Sequence, residues 1–117
     1  MRFLCIYRPG DVVEDAKPPA PEDMKAMGKL IDDMSKAGVL LATGGCQPSA
    51  KGARVRVDGG RFTVTDGPFP ETKELICGYC LLQTKSKEEA IEWGKRFLAV
   101  VGKGESEIRQ LYDAPDA

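Results

Sequence analysis

The stretch Arg61–Gln83, RFTVTDGPFPETKELICGYCLLQ, decides how the rest of the chain is arranged. Thr63, Val64 and Thr65 are strand formers that run into Asp66-Gly67-Pro68-Phe69-Pro70, where two prolines flanking an aromatic cannot continue a sheet ladder. A stiff turn is expected, with Gly67 able to take positive φ and Asp66 able to accept hydrogen bonds from the turn's own backbone. Such a turn would hold Asp66, Phe69, Glu71 and Lys73 in place with little entropy left to lose on binding. An Asp before a Gly is more often a turn residue than a catalytic acid, so the residues leave both readings of Asp66 open. Beyond the turn, Leu75–Leu82 reads as a strand whose two alternating sets are both mostly apolar: Leu75, Cys77, Tyr79, Leu81 and Ile76, Gly78, Cys80, Leu82. Two layers must cover it.

Outward from this stretch, Arg2–Tyr7 reads as a first strand ended by Arg8-Pro9-Gly10, and Asp11–Ala20, with Pro18 and Pro19, as an exposed connection. Pro21 opens a helix, and Met24, Met27, Leu30, Ile31 and Met34 recur as one apolar stripe, better explained as core filling than as a pocket lining. Lys36 and Gly38 close it. Val39–Thr43 gives a second strand, which Gly44-Gly45-Cys46-Gln47-Pro48 leads away from. Arg54–Asp58 and Arg61–Thr65 form a hairpin through Asp58-Gly59-Gly60, with Val55 and Val57 facing Phe62 and Val64. Ser86-Lys87-Glu88-Glu89 is a capping box for a second helix that packs through Ala90, Ile91, Trp93, Phe97, Leu98 and Val101. Glu105–Tyr112 is a last strand on which Glu107, Arg109 and Leu111 share a face; an ion pair is the first explanation of Glu107 and Arg109, and a role in binding the second.

Without the hairpin the order is βαββαβ, so the expected fold is α+β: a ferredoxin-like split βαβ plait with both helices on one face of an antiparallel sheet and an inserted β-hairpin. Residues 1–117 are expected to form a single domain. The uncovered sheet face is expected to pack on the same face of a second copy, giving a twofold homodimer that encloses a cavity.

Composition narrows the function. Seventeen basic residues against eighteen acidic ones give a net charge of −1 with no basic run, which argues against nucleic acid or an anionic membrane as a partner. No apolar segment is long enough for a bilayer, and the short N-terminal apolar run lacks a signal peptide's core, so a cytoplasmic address is expected. The absence of histidine removes the commonest general base and every Ser-His or Cys-His nucleophile system. Four cysteines sit mostly in apolar stretches, as in a reducing compartment. Cys77 and Cys80, three apart on a strand, point to opposite faces and are not expected to bind metal or form a redox pair with each other. Gly44-Gly45 and Lys51-Gly52 lack the spacing of a phosphate loop. No cofactor or metal is called for.

At Val64–Gly78, VTDGPFPETKELICG, the chain resembles the DGPF domain family within the YCII-related group of dimeric α+β barrel proteins. The resemblance also takes in Gln47-Pro48, Glu92-Trp93 and the Glu107-x-Arg109 of the last strand. It implies a small, cytoplasmic bacterial homodimer with a pocket near the motif, and a link to extracytoplasmic-function sigma factors, beside which members are often encoded. YCII-type relatives carry a His-Asp pair proposed as catalytic, which cannot be carried over to a chain without histidine.

Three functional classes follow. One is a module binding a small, mainly apolar molecule near the Asp66-Gly67-Pro68-Phe69 turn, with Tyr7, Gln47, Glu71, Lys73, Trp93, Glu107 and Arg109 as further candidate contacts. Another is a cofactor-free enzyme in which Asp66 or Glu71 moves a proton while Lys73 or Arg109 steadies negative charge. The third is an interaction protein whose apolar surface meets a sigma factor or another regulator.

Overall fold

The computed structural model describes residues 1–10, 20–71 and 74–113. In chain order the elements are β1 (Arg2–Arg8), α1 (Pro21–Lys36), β2 (Leu40–Gly45), β3 (Ala53–Asp58), β4 (Arg61–Asp66), β5 (Gly78–Gln83), α2 (Lys87–Val101) and β6 (Glu105–Gln110), with a short 3-10 turn at Ser49–Lys51. Four strands form an antiparallel sheet in the order β2-β5-β1-β6, and β3-β4 forms a separate hairpin. This is the ferredoxin-like plait with an inserted hairpin. The connection expected over Asp11–Ala20 lies, apart from Ala20, outside the described residues, as does Lys73.

Register fixes the faces. Phe3, Cys5 and Tyr7 of β1 stand opposite Leu82, Cys80 and Gly78 of β5 and opposite Gln110, Ile108 and Ser106 of β6. Phe3, Cys5 and Leu82 meet Leu30 and Met34 of α1 and Ala90 of α2 in the core. Met24, at the solvent end of the expected stripe, is instead exposed. Helix α2 starts where the capping box places it, with the Ser86 hydroxyl accepting from the Glu89 N–H and the Glu89 carboxylate accepting from the Lys85 N–H.

The opposite sheet face carries Leu4, Ile6, Tyr79 and Leu81 in its middle and charged residues at one margin. There Arg8 pairs across the strands with Glu107 at 3.0 Å, and Arg109 pairs with Glu107 along β6 at 3.2 Å. Nothing within the described chain covers the apolar middle, and Tyr79 is 44% exposed.

Three boundaries differ by two residues or more from those expected. Strand β2 runs through Gly44 and Gly45 instead of leaving the sheet at Thr43, because these glycines pair with Tyr79 and Gly78 of β5. A Cβ on Gly44 would stand 2.9 Å from the Tyr79 ring, so the missing side chain makes room for an aromatic lying across the strand. Strand β5 begins at Gly78, not Leu75, since the returning chain first makes a turn in which the Glu74 N–H donates to the Glu71 carbonyl. The last strand ends at Gln110, leaving Tyr112 exposed.

The hairpin turns at Gly59 and Gly60, both at positive φ, as a two-residue loop matched to strand twist requires. Val55 pairs with Val64 and Val57 with Phe62, and Asp66 opposite Ala53 closes the same face. All four apolar residues are exposed, Phe62 at 76%. The opposite face carries the polar pairs Arg54–Thr65 and Arg56–Thr63. The arm is therefore amphipathic, with its apolar side bare. A radius of gyration of 16.2 Å, against roughly 13 Å for a compact domain of this length, fits an arm that projects from the plait.

Candidate functional site

Between the two helices and the sheet lies a cavity of about 620 Å³. Met27, Leu30, Ile31 and Met34 of α1 form one wall and Trp93, Gly94 and Phe97 of α2 another; Cys5, Tyr7, Cys80 and Leu82 form the sheet wall, and Cys46 and Cys77 stand at one end. Tyr7 is buried, meets Phe97 edge-on with ring centroids 5.0 Å apart, and donates its hydroxyl to the Lys103 carbonyl at 3.0 Å. Burial, and secondarily the nearby Cys77 sulfur, push the Tyr7 phenol upward, so it stays neutral. Trp93 is backed by the Arg96 guanidinium 4.9 Å from its ring, and Arg96 reaches across to Asp33 of α1 at 2.7 Å. That hydrogen bond from Arg96 holds the Asp33 carboxyl below its ordinary range.

The four cysteines are free thiols, and they lie as two neighbouring pairs. Cys5 and Cys80 are cross-strand neighbours, and Cys5, donating to Cys80 and buried, is pushed well upward. Cys46 and Cys77 sit where β2 and β5 meet the inserted excursion, the Cys46 N–H donating to the Cys77 carbonyl at 2.8 Å. Sequence spacing relates Cys77 only to Cys80. Strand register, which spacing does not supply, makes each of them the neighbour of a different cysteine.

A second space, a shallow cleft of about 400 Å³, is lined by Gln47, Ser49, Arg54, Phe69, Leu75 and Ile76 among others. Here the Asp66–Phe69 turn is assembled. The Gly67 N–H donates to the Gly52 carbonyl at 3.0 Å and the Phe69 N–H to the Ser49 hydroxyl at 3.1 Å. Gly67 is not at positive φ, contrary to the expectation from sequence. It is glycine because a Cβ there would overlap the Ser49 carbonyl. Arg54 lies 3.9 Å over the Phe69 ring and pairs with Glu71 at 3.0 Å. A backbone hydrogen bond, and next the one from Arg54, hold the Glu71 carboxyl below its ordinary range.

The candidate residues thus fall in separate places. Tyr7 and Trp93 line the cavity; Gln47 and Phe69 line the cleft, with Glu71 attached through Arg54. Asp66, Gly67 and Pro68 form the turn and line neither space. The Asp66 carboxylate is exposed and has no side-chain hydrogen bond or ion pair among the described residues. Glu107 and Arg109 belong to the charged margin of the open sheet face, where hydrogen bonds from Arg109 and then Arg8 lower the Glu107 carboxyl. Cavity and cleft are adjacent along the chain, since Cys46 and Cys77 line one and their neighbours Gln47 and Ile76 the other. Arg54, which orders the turn, carries no mark in the sequence, whereas Met27 and Met34 of the sulfur-bearing wall belong to the stripe read there as core filling, and they line the cavity.

A plait with an apolar space between helices and sheet and an inserted, turn-bearing hairpin defines a small α+β domain. The YCII-related domain family matches residues 1–114, and the chain belongs to that family. An uncharacterized protein of Rhizobium meliloti (strain 1021) is 34% identical over 94 residues, covering 77% of this chain and 76% of the relative. No helix among the described residues is long and apolar enough to cross a membrane.

Proposed function

We propose that the protein is a cytoplasmic homodimer that binds a small, mainly apolar molecule in the cavity between its helices and sheet, beside the Asp66–Phe69 turn. The cavity carries this reading: about 620 Å³ is the size of a small-molecule site. Its described lining holds no carboxylate and no basic side chain, only aromatic and aliphatic groups, sulfur and a few hydroxyls. A neutral molecule with one or two polar atoms suits it. The turn shapes the adjoining cleft and fixes the chain on either side of the cavity's cysteine-bearing end.

Dimer formation is supported by the two bare apolar surfaces, the sheet face around Tyr79 and the hairpin face around Phe62. A second copy would cover both. An acid–base role for Asp66 has less support, because its carboxylate lines neither space; a sigma-factor-linked partner would have to compete for the same apolar surfaces.

The test is a titration with the neutral dye Nile red. Saturable binding at one dye per chain, lost in Met27→Trp, which fills the cavity, supports the reading. Equal binding by that variant removes it.

A further inference from the structure

We propose that Cys46 and Cys77 form a thiol–disulfide exchange site that reacts with low-molecular-weight disulfides such as oxidised glutathione. The pair follows from register. Gly45 opposite Gly78 is the last assigned rung between β2 and β5, and the next residues on the two chains are Cys46 and Cys77. Beyond that rung the Cys46 N–H donates to the Cys77 carbonyl at 2.8 Å, while the Cys77 N–H turns to the Tyr7 carbonyl at 2.9 Å, so a single backbone bond joins the two cysteines. One such backbone bond keeps the two residues within reach of the roughly 4.4–6.8 Å Cα separation that a disulfide spans, and both line the same end of the cavity.

Access separates this pair from the other. Cys46 and Cys77 are both exposed, whereas Cys5 is 4% exposed under the helices and bonded to Cys80. A bulky disulfide therefore reaches the first pair and not the second. In the reaction, one protein thiolate attacks a sulfur of the small disulfide, breaks its S–S bond and expels one small thiolate, leaving a mixed disulfide. The second protein thiolate attacks the protein sulfur of that bond, forms Cys46–Cys77 and expels the second small thiolate. The protons of the two cysteines end on the two released thiols, so the protein is oxidised by two electrons and the small disulfide reduced by two.

The position gives the bond a consequence. Cys46 is where the chain leaves the plait and Cys77 where it returns, so the disulfide would clasp the base of the whole 47–76 excursion, including the hairpin and the turn. An exposed bond of this kind is reducible by small thiols, which makes the clasp reversible.

The test is mass spectrometry of the reduced full-length chain after incubation with oxidised glutathione. The expected product has lost two hydrogens, keeps the Cys5 and Cys80 thiols, and yields a tryptic peptide containing Cys46 linked to the one containing Cys77, with fragmentation placing the bond at Cys77 and not Cys80. Cys46→Ser is expected to retain one glutathione on Cys77. A chain that keeps all its thiols, stops with glutathione on Cys46 or Cys77, joins two chains, or links a different pair overturns the proposal, as does a Cys46→Ser protein that gains no adduct.

Discussion

The guanidinium of Arg54 on the inserted hairpin lies 3.9 Å above the ring of Phe69, the last residue of the Asp66-Gly67-Pro68-Phe69 turn. One residue thereby joins the polar side of the arm to the turn, and its pairing with Glu71 extends the link to the returning chain. Replacing Arg54 by Ala removes a cation–π contact of about 0.5–1 kcal/mol. The Phe69 amide should then exchange its hydrogen roughly two- to fivefold faster if local opening is what limits it, while the plait's core amides stay unchanged. Hydrogen exchange measured residue by residue checks this.

Gly67 tests the turn from the other side. Gly67→Ala forces a methyl group into the Ser49 carbonyl, a cost of about 1–3 kcal/mol. Gly28, inside α1 with open space at its Cβ position, provides the contrast. Gly28→Ala should stabilise by about 0.5–1 kcal/mol through helix propensity. Chemical denaturation of the two variants should move in opposite directions.

In the core, Phe3 is among the largest fully buried side chains. Phe3→Ala should cost about 3–5 kcal/mol, read as a fall in the denaturant midpoint with little change in slope.

The charged margin of the sheet sets a pH dependence. Glu107 has its carboxyl lowered by hydrogen bonds from Arg109 and Arg8. A lowered folded-state pKa contributes stability that is present above the ordinary glutamate value and is lost as the pH falls through the folded value. The melting temperature of the wild-type protein should therefore fall more steeply on acidification than that of Glu107→Gln. The two curves should converge once Glu107 is protonated in both states. Asp33 and Glu71 titrate in both proteins and cancel from the comparison.

Light scattering should give twice the chain mass. Phe62→Asp, at a site already 76% exposed in the single chain, should leave the fold intact and shift the equilibrium toward monomer. A monomeric wild-type protein would contradict the dimer.

Much of the plait was legible in the sequence because its signals are local. Pro21 starts α1, Ser86 with Glu89 caps α2, and Gly59-Gly60 turns the hairpin, each through backbone chemistry within a few residues. What escaped depends on neighbours distant in the chain. Gly44 and Gly45 resemble a turn until Tyr79 is laid across them, and Cys77 pairs by spacing with Cys80 until register brings Cys46 beside it. The candidate site was legible only in pieces. Tyr7 and Trp93 do share a cavity, but the turn residues expected to join them line a neighbouring cleft or form its frame. Nothing in the sequence marks Arg54 as the residue that orders this frame, because its contact with Phe69 arises only when the hairpin folds back on the turn.

The most direct test of the cavity uses the chain's four methionines. Met27 and Met34 line the cavity, whereas Met1 and Met24 are exposed, at 54% and 59%. In protein carrying labelled methionine methyl groups, assigned with Met→Leu variants, titration with indole as a small neutral aromatic probe should shift the Met27 and Met34 signals along one saturable curve and leave those of Met1 and Met24 in place. Shifts of equal size at all four methyl groups, or none at Met27 and Met34, would contradict a binding cavity between the helices and the sheet.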